Sequence, residues 1–207
     1  LRTWADGDKA EGDPADEPVR VIDDEETVVF GTPDVTYSLD EPYTPTPDQG
    51  ETDDFRCFIF ETNFDQTRYI NGARFTPDNL EIAHHMIIYA VSPNQLETLR
   101  QRDAAEDGPG YTCYGGPGVG GAQNIGTWVP GSQPLAFGEG IGVELPAGSG
   151  LVVQMHYNTT NDPDGSDQFD LDLRFVEGAV DTVLVNFGLL DASFVIPPGE
   201  EDGKAGR

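Results

Sequence analysis

The chain has 207 residues, 37% of them hydrophobic, enough for one domain with a sizeable core plus irregular tails. A formal net charge of −27 and a pI near 4.1 exclude nucleic acids and anionic membrane surfaces as partners, because phosphate would be repelled. No run approaches the roughly 18 apolar residues of a membrane span.

Residues 1–19 form a polar, acidic segment without periodicity, read as a flexible leader to a single domain over 20–199. The chain opens without an initiator Met or a signal peptide, as a processed protein or a piece cut from a longer one would. Residues 1–54 carry 17 acids against only Arg2, Lys9 and Arg20, and the Lys-poor, Asp-rich composition suits a salt-rich setting. Val19 to Phe30 has the first strand-like apolar content, and Gly31 to Asp54, rich in Pro, Asp and Thr, reads as a long surface connection. Phe55 to Thr62 and Arg68 to Phe75 read as strands joined by a short turn.

The next run, Ile82 to Val91, is apolar and holds His84 and His85 side by side. A helix follows, with Ser92 as cap, Pro93 at its first position, Gln95 three residues after the cap, Leu96 and Leu99 on one face, and an end by Gly108. From Gly110 to Gly140 the chain is Gly- and Pro-rich. Strands resume at Ile141 to Leu145, Leu151 to Thr159, Phe169 to Val176, Val183 to Leu189 and Phe194 to Ile196, and residues 200–207 are a polar tail or the start of a linker. Many short strands at this spacing predict an all-β fold, an antiparallel β-sandwich or jelly roll with one short helix.

Three weaker motifs fall away. Gly116 to Gly121 fits a dinucleotide-binding glycine pattern but opens no helix. The loop Asn161 to Asp167 resembles a calcium-binding turn but lacks the downstream bidentate Glu. Asn158-Thr159-Thr160 is a glycosylation sequon, meaningful only in a eukaryotic secreted protein.

The third and last histidine, His156, lies in the run Leu151 to Tyr157, so all the imidazole of the chain sits in two predicted strands, read as paired or facing. Neutral imidazole is a common metal ligand and three of them suit Cu, Zn, Fe or Ni. Side chains alternate across a strand, so His84 and His85 reach one ion only if the strand bulges, or if one ring binds through its nearer nitrogen and the other through its farther one. Met86 and Met155 flank the histidines, and thioether sulfur is a soft ligand that favours Cu(I). Cys57 and Cys113 make an even count, open to two free thiols or one bond.

The stretches NLEIAHHMIIYAVSP, GYTCYGGPG, TWVPGSQP and LVVQMHYNTT resemble the first domain of the type II copper, ascorbate-dependent monooxygenases, the peptidylglycine alpha-hydroxylating and dopamine beta-monooxygenase group, over roughly residues 53–199. The resemblance implies one copper ion, the electron-transfer copper, bound by His84, His85 and His156; Met86, by its place beside His85 and its soft sulfur, is a possible extra ligand, with core packing the commoner role for either methionine. It also implies a Cys57–Cys113 disulfide, a secreted, periplasmic or extracellular location, and ascorbate as reductant. In that family a second domain holds the oxygen-activating copper through a His-X-His pair and a methionine. After His156 this chain has no histidine or methionine, so the partner implied is a second monooxygenase domain outside it, entered near Ile196-Pro197-Pro198-Gly199. The alternative is a stand-alone copper-binding or copper-handling module without catalysis.

Overall fold

Alternating apolar side chains make each long strand two-faced, and two sheets close over the apolar sides. In the computed structural model, which describes residues 30–186, eleven strands and one helix are laid out. The strands are β1 (Val35–Ser38), β2 (Asp53–Glu61), β3 (Arg68–Thr76), β4 (Ala83–Val91), β5 (Tyr111–Thr112), β6 (Gln123–Trp128), β7 (Leu135–Ala136), β8 (Ile141–Leu145), β9 (Gly150–Asn158), β10 (Asp170–Phe175) and β11 (Thr182–Leu184). One sheet runs β1-β10-β3-β8-β11 with β7 also on β3, and the other runs β5-β2-β9-β4-β6. This is the all-β sandwich expected, antiparallel except where β11 lies parallel to β8.

The inner faces meet in one core. In β10, Leu171, Leu173 and Phe175 point inward, and Tyr157, Phe169, Met86 and Met155 are fully or almost fully buried with them. Phe169 packs edge-on or tilted against Phe58, Phe60 and Phe75, giving the centre directional contacts as well as apolar area.

A smaller core lies on the outer face of the five-stranded sheet, where the helix α1 (Pro93–Asp103) packs Leu96 and Leu99 against Cys57, Val91, Tyr111, Cys113 and Val152. The predicted start holds, since the Gln95 side chain accepts the Ser92 N–H at 2.7 Å and Pro93 occupies the first turn. Gly150 makes this packing possible, because a Cβ there would come within 2.7 Å of Leu96 Cδ1. Cys57 and Cys113 are joined as a disulfide in the same small core.

Two segments read as connections contain strands. Within 31–54, β1 pairs with β10, and Tyr43, bridged to Asp167, is buried with its hydroxyl donating to Asp54 Oδ2 at 2.8 Å. Within 110–140, β5, β6 and β7 each add to a sheet edge or to β3. The expectations for the leader, for Val19 to Val29, for residues beyond Asn186 in the 183–189 strand, for Phe194 to Ile196 and for the tail lie outside the described residues. No helix among the described residues is long and apolar enough to cross a membrane.

Candidate metal centre

The three histidines meet on the outer face of the five-stranded sheet, where β4 runs antiparallel to β9 at its centre. Pairing places Ala83 opposite Tyr157 and then His85 opposite His156, so His84 is the extra residue of a β-bulge. The bulge removes the alternation that would send neighbouring side chains to opposite faces, and both rings turn outward.

The Nδ1 atoms converge. His85 Nδ1 lies 3.3 Å from His84 Nδ1 and 3.2 Å from His156 Nδ1, and one ligand atom from each ring falls within 4.8 Å of the others. Among the described residues this is the one group of three or more potential ligands placed to hold an ion. A ring nitrogen is either a donor or an acceptor, so one hydrogen can join His85 to one neighbour, while the other contact sets like groups against each other unless a cation sits between them. Nitrogens bound to one ion at about 2.0 Å stand about 3.3 Å apart in a tetrahedral arrangement, so the geometry accepts a metal without a change of fold. The all-imidazole donor set suits copper, as it does zinc, iron and nickel.

Each ring has distinct support. His84 is exposed, while His85 and His156 are partly buried. Burial, and then the neighbouring His156 and His84, push the His85 pKa down, which favours the neutral form a metal requires. Phe55, opposite His156 in the β2·β9 register, lies flat on its ring with centroids 4.2 Å apart and planes 9° apart. Tyr114 meets Phe55 edge-on at 4.9 Å. The far nitrogen of His156, Nε2, lies 2.8 Å from Asp53 Oδ1, and the same oxygen accepts from Asn158 Nδ2 at 2.8 Å. Hydrogen bonds from Asn158 and then His156 draw the Asp53 pKa down.

The outer face links this site to the small core. Val152, Gln154 and His156 alternate along β9, and Gln154, paired with Cys57, donates from Nε2 to the Cys113 carbonyl at 3.0 Å. The Cys113 N–H bonds to the Phe55 carbonyl at 2.9 Å, so the disulfide holds the segment after β5, which carries Tyr114, beside the histidines.

Met86 is not brought to the site. It follows His85 on β4 and points inward, 2% exposed, opposite Met155, which is fully buried. The alternation suspended at His84 resumes at Met86, and the sulfur belongs to the core rather than to the ion. The calcium-like loop has other work, since buried Asp167 accepts the N–H groups of Asp78 and Asn79 at 2.7 and 3.0 Å and the Tyr157 hydroxyl at 3.2 Å. Those bonds fix the turn that leads into β4 and its histidines.

Asp53, Phe55 and Asn158 are site residues that the sequence reading misses. Their signal was available only jointly with the β2·β9 register, which sets Phe55 against His156 and Asp53 against Asn158. No family model matches the chain, and no curated protein does either.

Proposed function

We propose that this chain holds one copper ion at Nδ1 of His84, His85 and His156, and that it serves as the electron-transfer domain of a type II copper monooxygenase that hydroxylates C–H bonds. The oxygen-activating copper would be held by residues outside this chain. The observation that carries the metal reading is the convergence of three imidazole Nδ1 atoms on one point of the sheet's outer face. The choice of copper and of monooxygenase chemistry rests on the resemblance of the motifs around these histidines.

Bound copper would supply one-electron chemistry, cycling between Cu(II) and Cu(I). The protein's part is to hold three neutral rings in one arrangement that serves both states. The bulge at His84 sets two of them, and Phe55 and Asp53 fix the third. His84 is exposed, so the site opens to an electron donor or acceptor on the outer face. Next to it stand apolar side chains in water: Tyr114 is 84% exposed beside Phe55, and Val129, 48% exposed, follows the Trp128 that pairs with Met86. Such a collar suits a face covered by a second domain. Ascorbate as reductant follows from the resemblance alone, and the disulfide agrees with a secreted, periplasmic or extracellular setting.

Copper titration with elemental analysis tests the reading. The expected result is one copper per chain, strong loss of binding in His84→Ala, His85→Ala or His156→Ala, and little change in Met86→Ile. Two coppers per chain, wild-type affinity in His156→Ala, or hydroxylation by the isolated chain would each overturn it.

A further inference from the structure

A carboxylate stands behind His156, and its placement is built rather than incidental. Asp53 and Phe55 occupy the same outer face of β2, opposite Asn158 and His156 of β9. Stacking on Phe55 fixes the plane of the His156 ring, but a half-turn about the Cβ–Cγ bond keeps that plane while exchanging each nitrogen with a carbon. Directional contacts distinguish the two poses: Nδ1 lies 3.2 Å from His85 Nδ1, and Nε2 lies 2.8 Å from Asp53 Oδ1, the one of the two that is a dedicated acceptor. An ionised carboxylate accepts and never donates, so the hydrogen belongs to Nε2, and in a neutral ring Nδ1 is then bare.

The carboxylate is itself held. Asn158 Oδ1 accepts the Thr160 N–H at 3.1 Å, which orients the amide so that its NH2 group reaches Asp53 Oδ1 at 2.8 Å. Among the described residues, neither His84 nor His85 has a protein acceptor at Nε2; their ring nitrogens meet partners through Nδ1, within the triad.

Resting on the copper reading above, we propose that Asp53 is the positioning residue of this site: its hydrogen bond locks His156 in the Nε2–H tautomer and pose, with the Nδ1 lone pair turned to the metal. His156 is thereby the preset ligand around which His84 and His85 close. Partners of this kind behind metal-bound histidines are worth about 10- to 100-fold in metal affinity.

Two measurements on wild type, Asp53→Ala and Asp53→Asn test this. The first is 15N NMR of the metal-free proteins at pH 8, which reports the His156 tautomer directly. Wild type and Asp53→Asn should show the Nε2–H tautomer, since an amide oxygen still accepts that hydrogen, and Asp53→Ala should show a mixture. The second is competition for copper against a chromophoric chelator, where Asp53→Ala should bind about 10- to 100-fold more weakly and Asp53→Asn should recover most of the loss. An unchanged tautomer in Asp53→Ala overturns the proposal, as does wild-type affinity in that variant or a loss in Asp53→Asn as large as in Asp53→Ala. A wild-type chain that binds no copper refutes the copper reading instead, and the NMR result then decides the role of Asp53 alone.

Discussion

His85 carries the clearest dependence on pH. Burial first, and then the adjacent His156 and His84, lower its pKa in the folded chain. The folded state therefore holds this proton less readily than the unfolded state, whose histidine titrates near about 6.5. The sign follows: its contribution to stability is fully present above that value and is lost as pH falls through the lowered folded pKa. The melting temperature of the metal-free protein should fall between about pH 7 and pH 5, and His85→Gln should flatten that slope. An equal slope in the variant would show that other groups set it. The three histidines were legible in the sequence because imidazole is scarce here and confined to two apolar runs. Asp53 was not, because it is one of 38 acids and acquires meaning only through the strand opposite it. Met86 beside His85 is open in the sequence to either ligation or core packing, and the strand's alternation turns it to the core.

Elements divide in the same way. The strands β2, β3, β4, β8, β9 and β10 stand in the sequence within a residue or two, since each is an apolar or alternating run long enough to show its period. The strands β1, β5 and β7 are two to four residues long and embedded among Pro, Gly and Asp, so their order comes from pairing with a neighbour. β6, six residues long, is hidden because its apolar content is only Ile125 and Trp128 around Gly126. The bulge in β4 was legible for a chemical reason, as two adjacent histidines reach one ion most simply if one residue is extra. On the outer face, the disulfide joins β2 to the segment after β5 and closes a loop across 56 residues, worth about 4 kcal/mol in the chain-entropy treatment. Reduction should therefore lower the melting temperature by many degrees, and the Cys57→Ser/Cys113→Ser variant should match the reduced protein. A reduced protein melting with the oxidised one would show that helix packing and the Arg56 bonds to Glu106, Pro109 and Gly110 hold this segment unaided.

At the scale of the whole molecule, charge dominates. Residues 30–186 contain 24 acids and six arginines, with no lysine. The arginines are largely engaged: Arg56 with Glu106 at 2.6 Å, Arg74 with Asp172 at 2.5 Å, Arg100 with Glu61 at 2.6 Å, and Arg174 with the Phe30 carbonyl at 2.7 Å. Of the acids only Asp54, Asp167 and Asp172 are buried, so the remainder repel one another across the surface. Unfolding separates these charges and relieves the repulsion, which makes the folded chain the state that low salt penalises. Raising NaCl from about 0.01 M to about 1 M shortens the screening length from about 30 Å to about 3 Å. The melting temperature should rise over that range, most steeply at its low end, where screening changes most. Sucrose at matched osmolarity separates screening from general exclusion of solute, because it strengthens burial without screening charge. A melting temperature flat or falling with NaCl, or a rise that sucrose reproduces in full, would show that surface repulsion does not limit the stability of this fold.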